Sequence, residues 1–345
     1  MGFTLRTERG KRWFSSSLGK LVATVIFMLL VIVVLTITYR VSGLAWRPLF
    51  FPSSSSEDVL VHYTVWQVRL PRVALAVLLG AALAVAGCLL QVMTGNALSD
   101  PEIMGLNQGA SLFAVIALLV FGGAETSKVI WLAALCGAGV CGLLIYFISR
   151  YSGSDPSRLV LAGVAIGAFM GALTTGTILL FETKLDEILY WMAGKLSGAE
   201  WNDNILVGLF DIPAITVAML LSGRLNVMAQ GDDVATGLGV NVQRTRAVLG
   251  LLVMMLTGSA VAVAGPIGFV GLIVPHIARR MGGVDHRVLI PLSALFGGLL
   301  LSTADFAAQW VSYPADVPVG ILMALIGVPF FLYLLRRNRG RGGRL

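Results

Sequence analysis

Charge is what this 345-residue sequence has least of. Only 12% of its residues are Asp, Glu, Lys or Arg, against roughly a quarter in a soluble domain, and 57% are hydrophobic. So little polar surface cannot coat a water-soluble globule of this length. Histidine and cysteine are scarce too, at three residues each. Cys88, Cys136 and Cys141 lie inside apolar runs without a CxxC pair, and the histidines are scattered, so neither a disulfide framework nor a metal site is expected. There is no GxxxxGK[ST] loop to cradle a phosphate and no Ser-His-Asp constellation. The net charge of +7 does not indicate nucleic acid, because the basic residues sit at the two ends and between apolar runs.

What is present is a succession of charge-free windows. A bilayer core about 30 Å thick needs about 20 helical residues. Windows of that order fall at 21–39, 73–99, 103–124, 129–149, 159–181, 204–222 (broken only by Asp211), 247–278, 288–304 and 317–335. The long window 247–278 contains Gly265-Pro266-Ile267-Gly268. Proline lacks an amide donor and glycine weakens a helix, so this stretch splits into a span at 247–264 and a shorter, discontinuous one at 268–280. The expectation is an all-α membrane protein of ten transmembrane helices.

An even number of spans puts both termini on one side. Eighteen of the 25 lysines and arginines then gather on that side, which the positive-inside rule makes cytoplasmic. The run 21–39 follows Arg6, Arg9, Lys11, Arg12 and Lys20 and has no small-residue cleavage site after it, so it reads as an uncleaved first span. The chain divides into a cytoplasmic segment 1–20, a transmembrane domain 21–336 with a long loop at 223–246, and a basic tail 337–345. Residues 82–87 (Ala-Leu-Ala-Val-Ala-Gly) and 260–265 (Ala-Val-Ala-Val-Ala-Gly) lie five spans apart, in opposite directions, as an inverted repeat would place them.

Four stretches stand apart from generic apolar helix. Arg69-Leu70-Pro71-Arg72 opens the second span. Its arginines either anchor at the headgroups or form a pair of outward-facing cations for a partner's carboxylates. Asn96, Asn107 and Gln108 place polar groups around and inside an apolar window, where backbone must face protein or a water-filled path. Gly231-Asp232-Asp233, followed by Leu238-Gly239, reads as a short helix charge-stabilised at its start, with Leu238 on its apolar side, either an ordinary surface helix or one that docks on a cytoplasmic partner. Gly265, Pro266 and Gly268 suit a broken helix lining a pathway. Within the spans only Asp211 and Asp305 are ionisable, both expected toward the outer ends. That is too little charge for an ion-driven carrier, which places the energy source in another subunit.

In order along the chain, Arg69-Leu70-Pro71-Arg72, Gln91…Asn96-Ala97-Leu98-Ser99-Asp100-Pro101, Tyr190-Trp191-Met192-Ala193-Gly194, Gly231-Asp232-Asp233, Ala264-Gly265-Pro266-Ile267-Gly268-Phe269-Val270-Gly271-Leu272-Ile273-Val274-Pro275-His276, Asp285-His286-Arg287 and Val317-Pro318-Val319-Gly320 resemble the FecCD-type permeases of ABC importers for iron–siderophores, haem and cobalamin. The resemblance runs from about residue 60 to 336. It implies a multi-pass subunit of the bacterial cytoplasmic (inner) membrane that pairs with a second permease, identical or paralogous, in lipid. It further implies two cytoplasmic ATPase subunits, which carry the ATP and magnesium and dock around Gly231, Asp232, Asp233, Leu238 and Gly239, so this chain holds no cofactor and is no enzyme. A substrate-binding protein would meet Arg69 and Arg72 and deliver an iron–siderophore complex, or haem or cobalamin. Asn96, Asn107, Gln108, Gly265, Pro266 and Gly268 would line the pathway, with Ser154, Asp155 and Ser157 near its cytoplasmic narrowing. Ala97 replaces the family's usual proline, Gln309 a common arginine, and Asp316 a common glutamate.

Overall fold

The computed structural model describes residues 2–39, 56–121, 126–151, 156–181, 185–311 and 315–339. All regular structure among them is helical. Helix α1 is Gly2–Thr38. Helix α2 (Ser56–Tyr63) runs through a π turn, Thr64–Arg69, into α3 (Leu70–Thr94). There follow α4 (Leu106–Phe121), α5 (Thr126–Tyr151), α6 (Pro156–Leu180), α7 (Leu185–Met192), α8 (Trp201–Leu220), α9 (Ser222–Met228) and α10 (Asp232–Gly237). The chain closes with α11 (Val242–Ala264), α12 (Val270–Gly282), α13 (His286–Val311) and α14 (Val319–Arg339).

Eight of these helices are long and apolar enough to cross a membrane, the charge-poor windows having become helices at the expected places. The third and eighth expected spans, 103–124 and 268–280, yield the two short ones. Helix α4 has 16 residues and α12 has 13, the latter about 20 Å of rise and too short to cross alone. The Gly265-Pro266 break is where expected: α11 stops at Ala264, Gly265 has φ +74°, and α12 begins only after Phe269.

Helix α3 is the hub. Its apolar window is 78% buried, whereas that of α1 is only 11% buried. The hub packs on α13, α11, α12 and α8, and two of these crossings are backbone to backbone. A Cβ placed on Gly80 would lie 2.2 Å from the Gly297 carbonyl oxygen of α13, and one on Gly87 would lie 2.1 Å from that of Gly271 in α12. Small residues at such crossings let helices gain close van der Waals contact, the main driving force for association in lipid. Apolar side chains such as Leu75, Leu79, Leu249, Leu256, Leu272, Leu289 and Leu301, all within 1% of complete burial, fill the space around them.

The sequence expectation for Asp211 needs correction. It sits halfway along α8 and is fully buried, with its Oδ1 accepting a 2.6 Å hydrogen bond from the Ser259 hydroxyl of α11. Asp305 does lie in the second half of α13, also buried.

Candidate functional site

The two ends of α3 organise the polar chemistry. At its start the leading arginines turn inward. Arg72 is 9% exposed, and its Nε and Nη2 donate to the Asp305 carboxylate at 2.9–3.1 Å while Nη1 donates to Asp316 Oδ2 at 3.0 Å. Gln309 Nε2 adds a 2.8 Å bond to Asp305 Oδ2. The idea of Arg72 as an outward-facing cation is therefore corrected. Its fork is filled by two carboxylates of the same chain, because a guanidinium at this depth must be neutralised. Arg69 donates to the carbonyls of Thr36 (2.8 Å), Ile37 (3.3 Å) and Tyr39, which places its charge at the C-terminal end of α1, where a cation is favoured.

Past the far end of α3 the chain turns at Gly95, in the left-handed region (φ +60°), and folds back as a polar loop to α4. Asn96 Oδ1 accepts from the Leu98 amide and Asp100 Oδ1 from that of Glu102, each at 2.9 Å. Asn107 (2.5 Å) and Gln108 (3.3 Å) both donate to the Glu102 carboxylate. Asn107 is 1% exposed, so its amide holds Glu102 rather than lining an open path in this structure. Glu102 was missed in the sequence reading; the clue was its place between Pro101 and an apolar window already containing two amides.

The loop and the broken helix form one unit. A Cβ on Gly268 would lie 3.2 Å from the Glu102 carboxyl carbon, and one on Gly271 2.9 Å from Asp100 Oδ2, so the glycines leave room for both acids at the start of α12. Phe269 between them has φ +68°, an uncommon conformation for a bulky residue, and its ring fills the place where Gly327 of α14 lacks a side chain. Gly265 is buried against the Trp191 carbonyl. Ser154 and Asp155 lie outside the described residues, and Ser157 falls in the first turn of α6, where side chains are not described.

The Gly231–Gly239 segment folds as expected into a short helix between two left-handed glycines (φ +111° and +81°). Asp232 pairs with Arg246 of α11 at 2.9 Å and Ala235 is completely buried, so α10 is pinned from beneath. Asp233 faces outward. Leu238, just past the end of α10, is 65% exposed, and Val234 within it is 44% exposed. Close by, Asp285 accepts from Asn226 Nδ2 (2.7 Å) and from the Arg287 amide (3.0 Å). Those bonds, that from Asn226 foremost, hold its carboxyl below the usual range. Among the described residues no group of three or more His, Cys, Asp or Glu is arranged to hold a metal ion.

This bundle, with its polar loop, broken helix and exposed short helix, has relatives. Residues 13–337 match the family model described as the FecCD transport family. The chain belongs to the FecCD transport family. The Fe(3+)-citrate import system permease protein YfmD of Bacillus subtilis (strain 168) is 43% identical over 84% of this chain and 85% of its own length. The vitamin B12 import system permease protein BtuC of Vibrio cholerae is 37% identical over 88% of this chain and 90% of its own length. A solved structure titled as an inward-facing conformation of a putative metal-chelate type ABC transporter superposes with a TM-score of 0.80 at 27% identity, covering 92% of this chain and 99% of that one. As a FecCD member the chain is a multi-pass membrane permease, and the helices and turns described above are its version of that fold.

Proposed function

We propose that this chain is the permease subunit of an ATP-driven importer that moves iron–siderophore complexes inward across the bacterial cytoplasmic membrane. The observation that carries this reading is the exposed apolar surface made by Val234 of α10 and Leu238 just past its end, on a helix clamped to α11 through Asp232–Arg246. A greasy surface on a rigid mount suits a docked partner that must transmit force. In this reading the α10 end and both termini face the cytosol, where two ATPase subunits bind ATP and magnesium and seat on α10. A second permease, identical or paralogous, completes the pathway, and an extracytoplasmic binding protein delivers the complex at the other end. Arg69 contacts that protein directly, while Arg72 acts by holding Asp305 and half-exposed Asp316 in place. The polar loop from Asn96 to Gln108, the break at Gly265, Pro266 and Gly268, and the turn bearing Ser154, Asp155 and Ser157 form the parts of the path that open and close.

Iron–siderophore is the leading cargo because the relative of highest stated identity carries Fe(3+)-citrate in its name. A cobalamin reading is supported by the BtuC relative, so both are assayed. The test is uptake of radioactive ferric siderophores and of cobalamin into proteoliposomes holding the full complex. ATP-dependent iron accumulation is expected. Accumulation by this chain alone under a proton or sodium gradient would overturn the proposal. Asp232→Lys with Asp233→Lys is expected to release the ATPase from detergent-solubilised complexes; full retention would remove α10 from the docking site.

A further inference from the structure

Beside α10 lies a hollow of about 840 Å³ that the α10 surface does not by itself explain. Its walls come from the end of α3 (Gln91, Thr94), from α9 and the turn after it (Asn226, Gln230), from Arg246 of α11, and from Arg279 with residues 284–286 around the α12–α13 turn. The charges in these walls are unevenly matched. Asp232 is paired with Arg246, and Asp285 is held by Asn226 and the Arg287 amide. Arg279 is partly buried and, among the described residues, has no carboxylate partner. Its Nη2 donates only to the side-chain oxygen of Gln91, itself 4% exposed and locked by a 3.1 Å bond from its Nε2 to the Gly271 carbonyl.

A guanidinium withdrawn from water normally has an anion against it, and its planar fork has donors left for one. The hollow is far larger than a phosphate ion, and its edge is apolar: Val284 is 76% exposed, and α10, whose first residue lines the hollow, carries Val234 and is followed by Leu238. An incoming cation would find both nearby acids already occupied, whereas an incoming carboxylate would find Arg279. We infer that the hollow is a second arm of the ATPase socket, in which Arg279 receives an Asp or Glu side chain carried on an apolar segment of the ATPase subunit. The inference rests on the reading of α10 as the ATPase-docking helix. It adds the α12–α13 turn and the end of α3 to that interface, so nucleotide-driven movement of the ATPase would pull on the broken helix α12 directly.

The experiment uses the assembled complex in detergent. Arg279→Glu is expected to weaken ATPase retention by at least about thirty-fold, the scale of losing one side of a buried, hydrogen-bonded charge pair. Arg280→Glu, one residue on and exposed, serves as the control and should retain the ATPase. Because Arg279→Glu can also disturb folding, a second arm leaves Arg279 intact and places the photo-crosslinker p-benzoylphenylalanine at position 284. The expected product joins this chain to the ATPase through a peptide containing Asp or Glu. A crosslink to lipid, to this chain or to the second permease would overturn the inference, as would unchanged ATPase affinity in a folded Arg279→Glu variant. Loss of the ATPase with Asp232→Lys and Asp233→Lys but not with Arg279→Glu would sink the socket and leave α10 docking standing. Insensitivity to both would sink the two together.

Discussion

Arg72 and Arg279 are both drawn into the bundle, at opposite ends of α3, and they are treated in opposite ways. Arg72 is saturated by Asp305 and Asp316. Among the described residues, Arg279 donates only to a neutral amide, that of Gln91. A cation neutralised within its own chain closes a structure; one left with spare donors leaves it open to another molecule. The first end of the hub is thus finished as it stands, and the second is shaped to be completed by a partner.

The largest effect should come from breaking the finished end. Asp305→Ala leaves Arg72 buried without its main counter-charge and should cost about 3–5 kcal/mol, read as a sharply lower thermal midpoint in detergent. Replacing both partners, Arg72→Met with Asp305→Leu, should recover most of that loss; failure to recover would mean that the pair does more than neutralise itself. At the open end, Gln91→Leu removes the acceptor that orients Arg279 and should cost about 1.5–3 kcal/mol by the same measurement, a smaller loss because the partner removed is a neutral amide and not a counter-charge. The smallest effect belongs to the exposed turn. Asp285 is held below its ordinary value of 3.8, so its contribution is complete above that value and fades only as pH falls through the lower, folded one. Amide exchange in the α12–α13 turn should therefore be unaltered by this group from pH 8 to pH 5. A transition inside that range that Asp285→Asn abolishes would contradict the assignment.

The same comparison shows how far the sequence could be read. The spans were legible because lipid admits so few charges, and α12 was legible as a short element because Gly265-Pro266 cannot continue a helix. The exposure of Arg72 was not. A guanidinium at a helix start can reach headgroups or fold inward, and the acids that decide the matter lie 233 and 244 residues further on. Glu102 escaped notice for a related reason: its partners Asn107 and Gln108 are near in sequence, but the Gly268 cleft that accommodates it is not. Asp211 was placed too far out because its window was drawn from 204, whereas Glu200 and Asp203 form a capping box that starts α8 at Trp201. Leu238 was read as part of the short helix, whereas α10 ends at Gly237 and Leu238 follows as its C-terminal neighbour.

The glycine contacts between α3 and its neighbours carry a mechanical consequence. Where Gly80 meets Gly297 and Gly87 meets Gly271, main chain rests on main chain, and there is no side chain to flip into a second arrangement. Such joints fix how closely α3 sits on α12 and α13, since no side chain can give way between them. By contrast α6 and α8, whose apolar windows are only 28% buried, are enclosed by little else of the chain.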